Sequence, residues 1–302
     1  MLKLFDYFKE AFAINRANKD LYGPQIALVL VRMALLGGYG VWAYGLVNSP
    51  QFRNMLVYGS DPRALLGMLL RAGGAGLLAL VLWLLLVRLV EAGLHNMYRS
   101  AVQTGSVQPG SFWTGVGKFF LPFVLGDLII ALAVLLLSPL WVLLGLITFS
   151  IGFAVGSLAL GVFLMFWKVS LVWNQRGVVA AVKDSFRFAW RNVVAVTALH
   201  LIRRAFLNPY AGGGGGGGGG GNPAGAINLL NRGDVRVPFW SNPDVILKYL
   251  RMGIAIATPI LVIIVAVSSL IQMIFTVFFA LTLFVTYKHG FRPDEEVNPD
   301  VV

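Results

Sequence analysis

The sequence contains no cysteine and few charged residues. Because none of its 302 residues is cysteine, disulfides and thiolate chemistry are excluded, and the redox compartment is left undetermined. Charged residues make up 12% of the chain, against roughly 25% in a typical soluble domain. This deficit predicts that most of the surface faces lipid rather than water.

The sequence also lacks the patterns of common catalytic and metal sites. Its three histidines, His95, His200 and His289, are far apart and do not have metal-ligand spacing. It has no nucleophile elbow, no P-loop and no pair of carboxylates on a membrane helix. We therefore expect a protein that is not an enzyme and has no catalytic residues, metal or cofactor. The N-terminus does not have a signal-peptide layout, because acidic residues interrupt it.

What the chain has instead is long apolar segments. In residues 119–173 the only ionisable side chains are Asp127 and Lys168. One membrane span needs about 20 apolar residues, so this stretch predicts a hairpin of two spans. We expect its hinge at Ser138–Pro139, because proline breaks the helical hydrogen-bond ladder.

Four further apolar segments predict single spans at residues 25–47, 64–87, 193–206 and 252–287. Segment 193–206 is short for a span, and segment 252–287 is too short for two, so we predict one long helix kinked at Pro259. A polar loop is expected at residues 48–63. The predicted fold class is all-α integral membrane: a six-transmembrane helical bundle with cytoplasmic amphipathic connector helices.

The connector helices are predicted at residues 1–20, 88–118 and 174–192. In the first, aromatic and basic residues recur at helical spacing, which indicates either a helix lying on the membrane or one docked on the bundle. The second places four polar residues on one helical face and is ended by Gly105 and Pro109–Gly110: Arg88, Glu91, His95 and Arg99. The third carries basic residues at i, i+4 and i+8, which predict contact with lipid headgroups: Lys183, Arg187 and Arg191.

These connectors suggest three repeated units within one membrane domain of residues 1–290. The units would be residues 1–87, 88–173 and 174–290, and aromatic-basic-x-Ala-aromatic patterns begin at Phe8 and Phe186. Chance similarity is the alternative, because any membrane protein alternates spans and basic loops. Ten consecutive glycines, Gly212–Gly221, predict a flexible external loop at residues 208–244. Residues 291–302 predict a disordered tail.

The charge balance predicts orientation and partners. The 24 Lys and Arg outnumber the 13 Asp and Glu, and the predicted loops on the side of both termini hold most of the basic residues. Both termini are therefore expected in the cytoplasm. The excess of positive charge favours anionic lipids of the bilayer as partners and not nucleic acid. Protein partners are not indicated.

Three charged residues are predicted inside the membrane: Arg32, Arg71 and Asp127. Along their helices, Arg32 and Asp127 would lie about 10 and 12 Å from the cytoplasmic side, whereas Arg71 would lie about 10 Å from the opposite side. An unpaired charge there costs about 2.5–3.5 kcal/mol, so we predict an Arg32–Asp127 bridge. That bridge would fix helix register or form a functional polar site; the alternative is that each side chain extends to its own headgroups.

Several motifs resemble a known group of proteins. FDYFKEAFAINRANKDLYGP, EAGLHNMYRSAVQTGSVQPGSFWTGVGKFF and WNQRGVVAAVKDSFRFAWRN are similar to motifs of poorly characterised bacterial multi-helix membrane proteins. This group is similar to the membrane domain of some glycerophosphoryl diester phosphodiesterases. The resemblance implies a six-helix protein of the bacterial cytoplasmic (inner) membrane. It does not imply phosphodiesterase activity, because no phosphodiesterase domain is present.

Two functions are consistent with these features. The first is a non-enzymatic membrane scaffold or accessory protein, whose basic amphipathic helices hold anionic lipid on the cytoplasmic surface. The second is a small permease or exporter that uses intramembrane polar residues. A water-filled cavity reaching Asp127 would favour the permease, and a packed bundle would favour the scaffold.

Overall fold

The computed structural model describes residues 2–58, 62–148, 150–207 and 243–290, and within them all extended regular structure is helical. In chain order the helices are α1 (Leu2–Ala17), α2 (Gly23–Val47), α3 (Pro50–Tyr58), α4 (Pro62–Thr104), α5 (Ser111–Ile147), α6 (Ile151–Leu164), α7 (Trp167–Asn174), α8 (Val178–Arg191), α9 (Val193–Leu207) and α10 (Pro243–Gly290). A 3₁₀ turn, Lys19–Tyr22, connects α1 to α2.

Five helical stretches in the described part of the chain are long and apolar enough to cross a membrane: Lys19–Val47, Gly76–Thr104, Ser111–Ile147, Ile151–Asn174 and Asp244–Gly290. Many large apolar side chains on these helices are exposed. On α5, for example, Leu136 and Leu146 are 78% and 73% exposed. Exposed apolar surface of this extent is typical of a protein that contacts lipid. The all-α fold predicted from sequence is therefore confirmed, and the five candidate spans agree with a multi-pass membrane protein. The predicted span at 193–206 forms α9, which is not among the five.

Contacts divide the described residues into two units. One unit takes its residues from Met1–Ile26, Leu84–Leu207 and Gln272–Val302, and the other from Ala27–Trp83 and Asn208–Ile271. The first unit contains a packed core whose largest side chains are fully buried: Tyr98, Phe123, Phe166, Phe284 and Tyr287. In the second unit α2 and α10 approach closely at Gly40, where an added Cβ would lie 2.2 Å from the Thr258 side chain.

The α5–α6 hairpin turns later than the sequence predicts. Helix α5 continues through Pro139 to Ile147, so the hinge predicted at Ser138–Pro139 is wrong. Pro139 cannot donate a hydrogen bond to the Leu135 carbonyl, but the Ser138 hydroxyl donates to that carbonyl at 2.7 Å. A hydroxyl that satisfies the freed carbonyl lets a membrane helix tolerate proline.

The turn itself is formed around Thr148 and Ser150. Thr148 Oγ1 donates to the Leu144 carbonyl and accepts from the Gly152 amide, both at 2.7 Å. Ser150 has a φ of 72°, in the left-handed region. Side-chain hydrogen bonds and one left-handed residue therefore reverse the chain here.

Other segments differ in extent from the sequence prediction. The polar loop expected at 48–63 contains α3, because Pro50 fits the first helical position and Ser49 Oγ accepts from the Phe52 amide at 3.2 Å. The single long helix predicted at 252–287 is confirmed but begins at Pro243. Gly212–Gly221, with all of residues 208–242 and 291–302, lies outside the described residues.

The connector between α4 and α5 is short and tightly held. Helix α4 ends at Thr104, followed by Gly105 with a φ of 81°, and Gly110 with a φ of 76° precedes α5, as the glycine pattern predicts. The buried Asn18 accepts from the Val107 amide at 2.8 Å and donates to the Gly105 carbonyl at 3.1 Å. These bonds fix the connector against the end of α1.

Candidate functional site

The uncharged part of the α5–α6 hairpin brings two opposite charges to one level. About 20 uncharged residues lie between Asp127 and the turn at Thr148–Ser150, and about 17 lie between the turn and Lys168. Each of these two segments is long enough to cross a bilayer. Lys168 Nζ lies 3.5 Å from Asp127 Oδ2. The two charges thus mark the open end of the hairpin.

Helix α4 completes a charged cluster with these two residues. The cluster consists of Arg88, Glu91, Asp127 and Lys168. Arg88 Nε is 2.5 Å from Asp127 Oδ2, and Arg88 Nη1 is 2.7 Å from Glu91 Oε2. Lys168 Nζ is 2.8 Å from both Glu91 oxygens. The two cations and two carboxylates neutralise one another, which makes their partial burial tolerable.

Aromatic rings cover one side of the charged cluster. Lys168 Nζ lies 5.3 Å from the ring centroids of both Phe123 and Trp167, distances at which a ring face attracts a cation. His95 Nδ1 is 2.8 Å from the Glu91 carbonyl, and its ring meets Phe123 edge-on at 5.2 Å. The His95 hydrogen bond and the rings therefore hold the residues around Glu91 in place.

Helix α9 packs on α6 and brings one further basic residue within electrostatic range of the charged cluster. His200 packs against Gly161 of α6, where an added Cβ would lie 2.6 Å from His200 Cε1. Arg203, almost one turn further along α9, lies within electrostatic range of Glu91.

A second polar network ties α7, α8 and α10 together. Asn174 Nδ2 donates to Tyr287 Oη at 2.9 Å, and the Tyr287 hydroxyl donates to Ser170 Oγ at 3.1 Å. The buried Asp184 accepts from Asn174 at 3.3 Å and from Ser170 at 3.4 Å. Because these groups are buried and mutually bonded, they fix the packing of α8 against the core.

Two of the predicted site residues have partners within their own units. Asp127 is bound by Arg88 and Lys168 in the first unit, and Arg32 Nη1 donates to Ser269 Oγ at 3.4 Å in the second unit. The predicted Arg32–Asp127 bridge would join residues of different units, and it stays a prediction. The side chain of Arg71 lies outside the described residues.

Sequence reasoning missed the charged cluster because it placed the hairpin turn too early. With the turn at Thr148–Ser150, the only two charges of the stretch lie at similar distances from it, about 20 and about 17 residues, and have opposite sign. The similar spacing of these two opposite charges from the turn was the sequence signal that could have predicted their pairing. The predicted headgroup residues Lys183, Arg187 and Arg191 are all exposed on α8. Within the described ranges, no three metal-ligating side chains form a group that could hold an ion.

The chain was compared with protein-family models, curated proteins and solved structures, and nothing in any of the three sets matches it.

Proposed function

We propose that this chain is a non-enzymatic protein of the bacterial cytoplasmic membrane with a scaffold or accessory role. Its basic amphipathic helices would hold anionic lipid on the cytoplasmic surface. The observation that carries the proposal is the two-sided packing of α8. Membership of the bacterial group that the sequence resembles stays a prediction.

Helix α8 is anchored on one face and open on the other. The residues buried against the core are Ala181, Asp184, Ser185, Phe188 and Ala189. The exposed residues include Lys183, Arg187 and Trp190. Phe186 and Trp190 stack on Phe163, with ring centroids 5.0 and 6.0 Å apart.

The position of Phe163 supports a location of α8 at the membrane interface. Phe163 lies in α6, about one and a half turns inside the uncharged segment that ends before Lys168. A helix whose aromatic residues contact that level, and whose Lys and Arg are exposed beside them, has the composition of an interfacial helix. This supports Lys183, Arg187 and Arg191 as headgroup contacts.

Contacts near the two ends of the chain support an even number of crossings. Glu10 of α1 pairs with Lys288 and His289 at the end of α10, at 3.2 and 2.7 Å. The two ends therefore belong on one side of the membrane, which five crossings would not allow. Helix α9 is our candidate for the sixth crossing, since His200 packs on α6 and Phe206 lies 5.0 Å from the Phe275 ring. The basic side is proposed as cytoplasmic.

The scaffold proposal is tested through lipid selectivity. In membranes of phosphatidylcholine, the affinity for spin-labelled phosphatidylglycerol relative to phosphatidylcholine is measured for the wild type and for K183E/R187E/R191E. Each basic residue near the surface contributes about 1 kcal/mol to attraction of anionic lipid, so we expect the preference to fall at least fivefold. The charge-conserving variant K183R/R187K/R191K should keep it. Equal preference in all three proteins would refute the assignment of α8.

A permease remains the second candidate, because the charged cluster places four ionisable groups between helices of three candidate spans. Such groups occur in proton and ion pathways. Proteoliposomes containing a pH-sensitive dye would report proton entry under an imposed potential. A flux that is present in the wild type and lost in Asp127→Asn would favour the permease over the scaffold.

A further inference from the structure

An apolar groove lies between α2 and α10, entirely within the second unit. The two helices run antiparallel there, because the Thr258 side chain packs on Gly40 and Arg32 bonds Ser269. The groove has a volume of about 780 Å³, within the range of about 300–1,000 Å³ for ligand pockets. Its lining is almost wholly apolar. The lining residues include Leu36, Ala43, Met252, Ile256, Ile260 and Ile264.

The groove is open along α10. Gly253 lines it, and an added Cβ at Gly253 would meet nothing within 4 Å. Ile256, Ile260 and Ile264 follow one another at helical turns and are each more than half exposed. Both α2 and α10 belong to candidate membrane spans, so hydrocarbon and not water surrounds them at this level. The occupant of the groove is therefore a lipid chain or another apolar protein surface.

The mouth of the groove, which is the end beside Tyr249, lies at a membrane interface. Tyr249 lines the groove and is exposed, and Tyr44 is exposed at the matching end of α2. Tyr is enriched at the level of the lipid headgroups. A lipid whose headgroup lies at the mouth would therefore have its acyl chain directed along the groove.

The groove has the length of one leaflet. Residues 252–287 contain no charged side chain, so the hydrocarbon level on α10 begins just after Arg251. From Arg251 to Ile264 the helix rises about 20 Å. One leaflet supplies about 15 Å of hydrocarbon, half the thickness of the core. An acyl chain that enters beside Arg251 would follow the groove through its whole leaflet, whereas a spanning helix of a second copy would not be confined to one leaflet.

The mouth of the groove carries net positive charge. Lys248 is exposed and lies one helical turn before Met252, on the same face. Because side chains on a helix lean toward its N-terminus, the Lys248 ammonium extends from the groove toward the headgroup level. Asp244, the one carboxylate among the described residues of the second unit, pairs with Arg53 at 3.0 Å. The charge at the mouth therefore complements an anionic headgroup.

We propose that this groove binds one anionic phospholipid, with an acyl chain along Ile256, Ile260 and Ile264 and the headgroup at Lys248. Bulk lipid is as apolar as the groove, so the preference for this lipid comes from the charge at Lys248 and from the shape of the groove. The site is separate from α8, which belongs to the first unit. It therefore does not depend on the scaffold proposal.

The test uses the full chain in phosphatidylcholine nanodiscs. The probe is phosphatidylglycerol that carries a photoreactive diazirine on one acyl chain, and mass spectrometry identifies the labelled peptides. We expect labelling of residues 252–264 that saturates at one lipid per chain. The mole fraction of phosphatidylglycerol that gives half-maximal labelling measures the affinity.

Two variants change the groove and its mouth. Gly253→Leu fills the groove and should raise the half-maximal mole fraction at least fivefold. It should not lower thermal stability, because its Cβ has free space and leucine is a better helix former than glycine. Lys248→Gln removes the cation at the mouth and should raise the mole fraction about fivefold, whereas Lys248→Arg should leave it unchanged.

The matched control is Gly38→Leu, which adds the same side chain to α2 outside the groove, where an added Cβ also meets nothing within 4 Å. It should bind the probe as the wild type does. Equal weakening by Gly38→Leu and Gly253→Leu, labelling that does not saturate, or unchanged labelling in Lys248→Gln would overturn the proposal. Dimers that Gly253→Leu dissociates, counted by single-molecule photobleaching, would overturn it in favour of a second copy. K183E/R187E/R191E should label as the wild type, so the groove and the α8 proposal fail independently.

Discussion

Lys168 Nζ lies 3.5 Å from Asp127 Oδ2, although 41 residues separate the two in sequence. The contact is made because the α5–α6 turn falls midway between them, so that each residue ends an uncharged segment of membrane-spanning length. Arg88 and Glu91 then join from α4. The charged cluster therefore fixes the positions of α4, α5 and α7 along their axes relative to one another.

Removing one cation from the cluster should destabilise the fold. Lys168→Met leaves Glu91 and Asp127 with a single close cation, and for partly buried carboxylates we expect a loss of about 1–3 kcal/mol. The control is Lys118→Met, which removes an exposed lysine that bonds Gln175 and should change stability by about 0.5 kcal/mol or less. Thermal unfolding in detergent measures both. Equal losses would show that the cluster has no special role.

The turn between α5 and α6 should become more stable with glycine. Ser150→Gly removes the cost of a left-handed φ of 72° and should stabilise by up to about 1 kcal/mol. In contrast, Ser157→Gly within α6 should destabilise by about 0.5 kcal/mol, because glycine is a poor helix former. Denaturant titration in mixed micelles compares the two, and stabilisation by both or neither would contradict the assigned turn.

Two glycines of α5 should respond oppositely to alanine. An added Cβ at Gly126 would lie 2.6 Å from the Trp167 ring, whereas Gly117 has nothing within 4 Å. We expect Gly126→Ala to destabilise by about 1–3 kcal/mol through overpacking. Gly117→Ala should stabilise by up to about 1 kcal/mol through helix propensity. The unfolding temperatures of the two variants test this expectation. If Gly126→Ala does not lower the unfolding temperature, α5 and α7 are not in close contact at this position.

The docking of α1 on α10 should be lost in acid. Burial raises the pKa of Glu10, but hydrogen bonds from His289 and Lys288 and their charges outweigh it, so its pKa lies below the ordinary value. A carboxylate with a lowered folded-state pKa stabilises above its unfolded pKa, and that contribution disappears as the pH falls through the folded value. The protection factors for amide exchange in residues 4–17, which are corrected for the intrinsic pH dependence of exchange, should therefore fall below about pH 4.

The control for this pH effect lies in the same helix. Glu10→Gln should show the faster exchange already at neutral pH, because the amide cannot form the ion pairs. Asp6→Asn changes an exposed carboxylate and should behave as the wild type. If the protection factors of α1 are independent of pH in the wild type, Glu10 does not hold the helix.

The sequence by itself determined the helical, membrane-spanning character of this protein. Apolar segments of span length must enter lipid or pack. Gly105 follows the end of α4 and Gly110 precedes α5, and a residue without Cβ adopts their positive φ freely. The exposed basic residues of α8 also follow from i, i+4 spacing. These properties are local, so periodicity and composition suffice to predict them.

Tertiary structure decided where the hairpin turns and which charges meet. Pro139 lacks the amide hydrogen that a helix needs, but the Ser138 hydroxyl donates to the Leu135 carbonyl that Pro139 leaves free, so the helix continues. The chain reverses instead at Thr148–Ser150. That shift changes the depth of Asp127 and gives it Arg88 and Lys168 as partners. Pairings between distant residues depend on the packed geometry of helices, which composition along one chain does not fix.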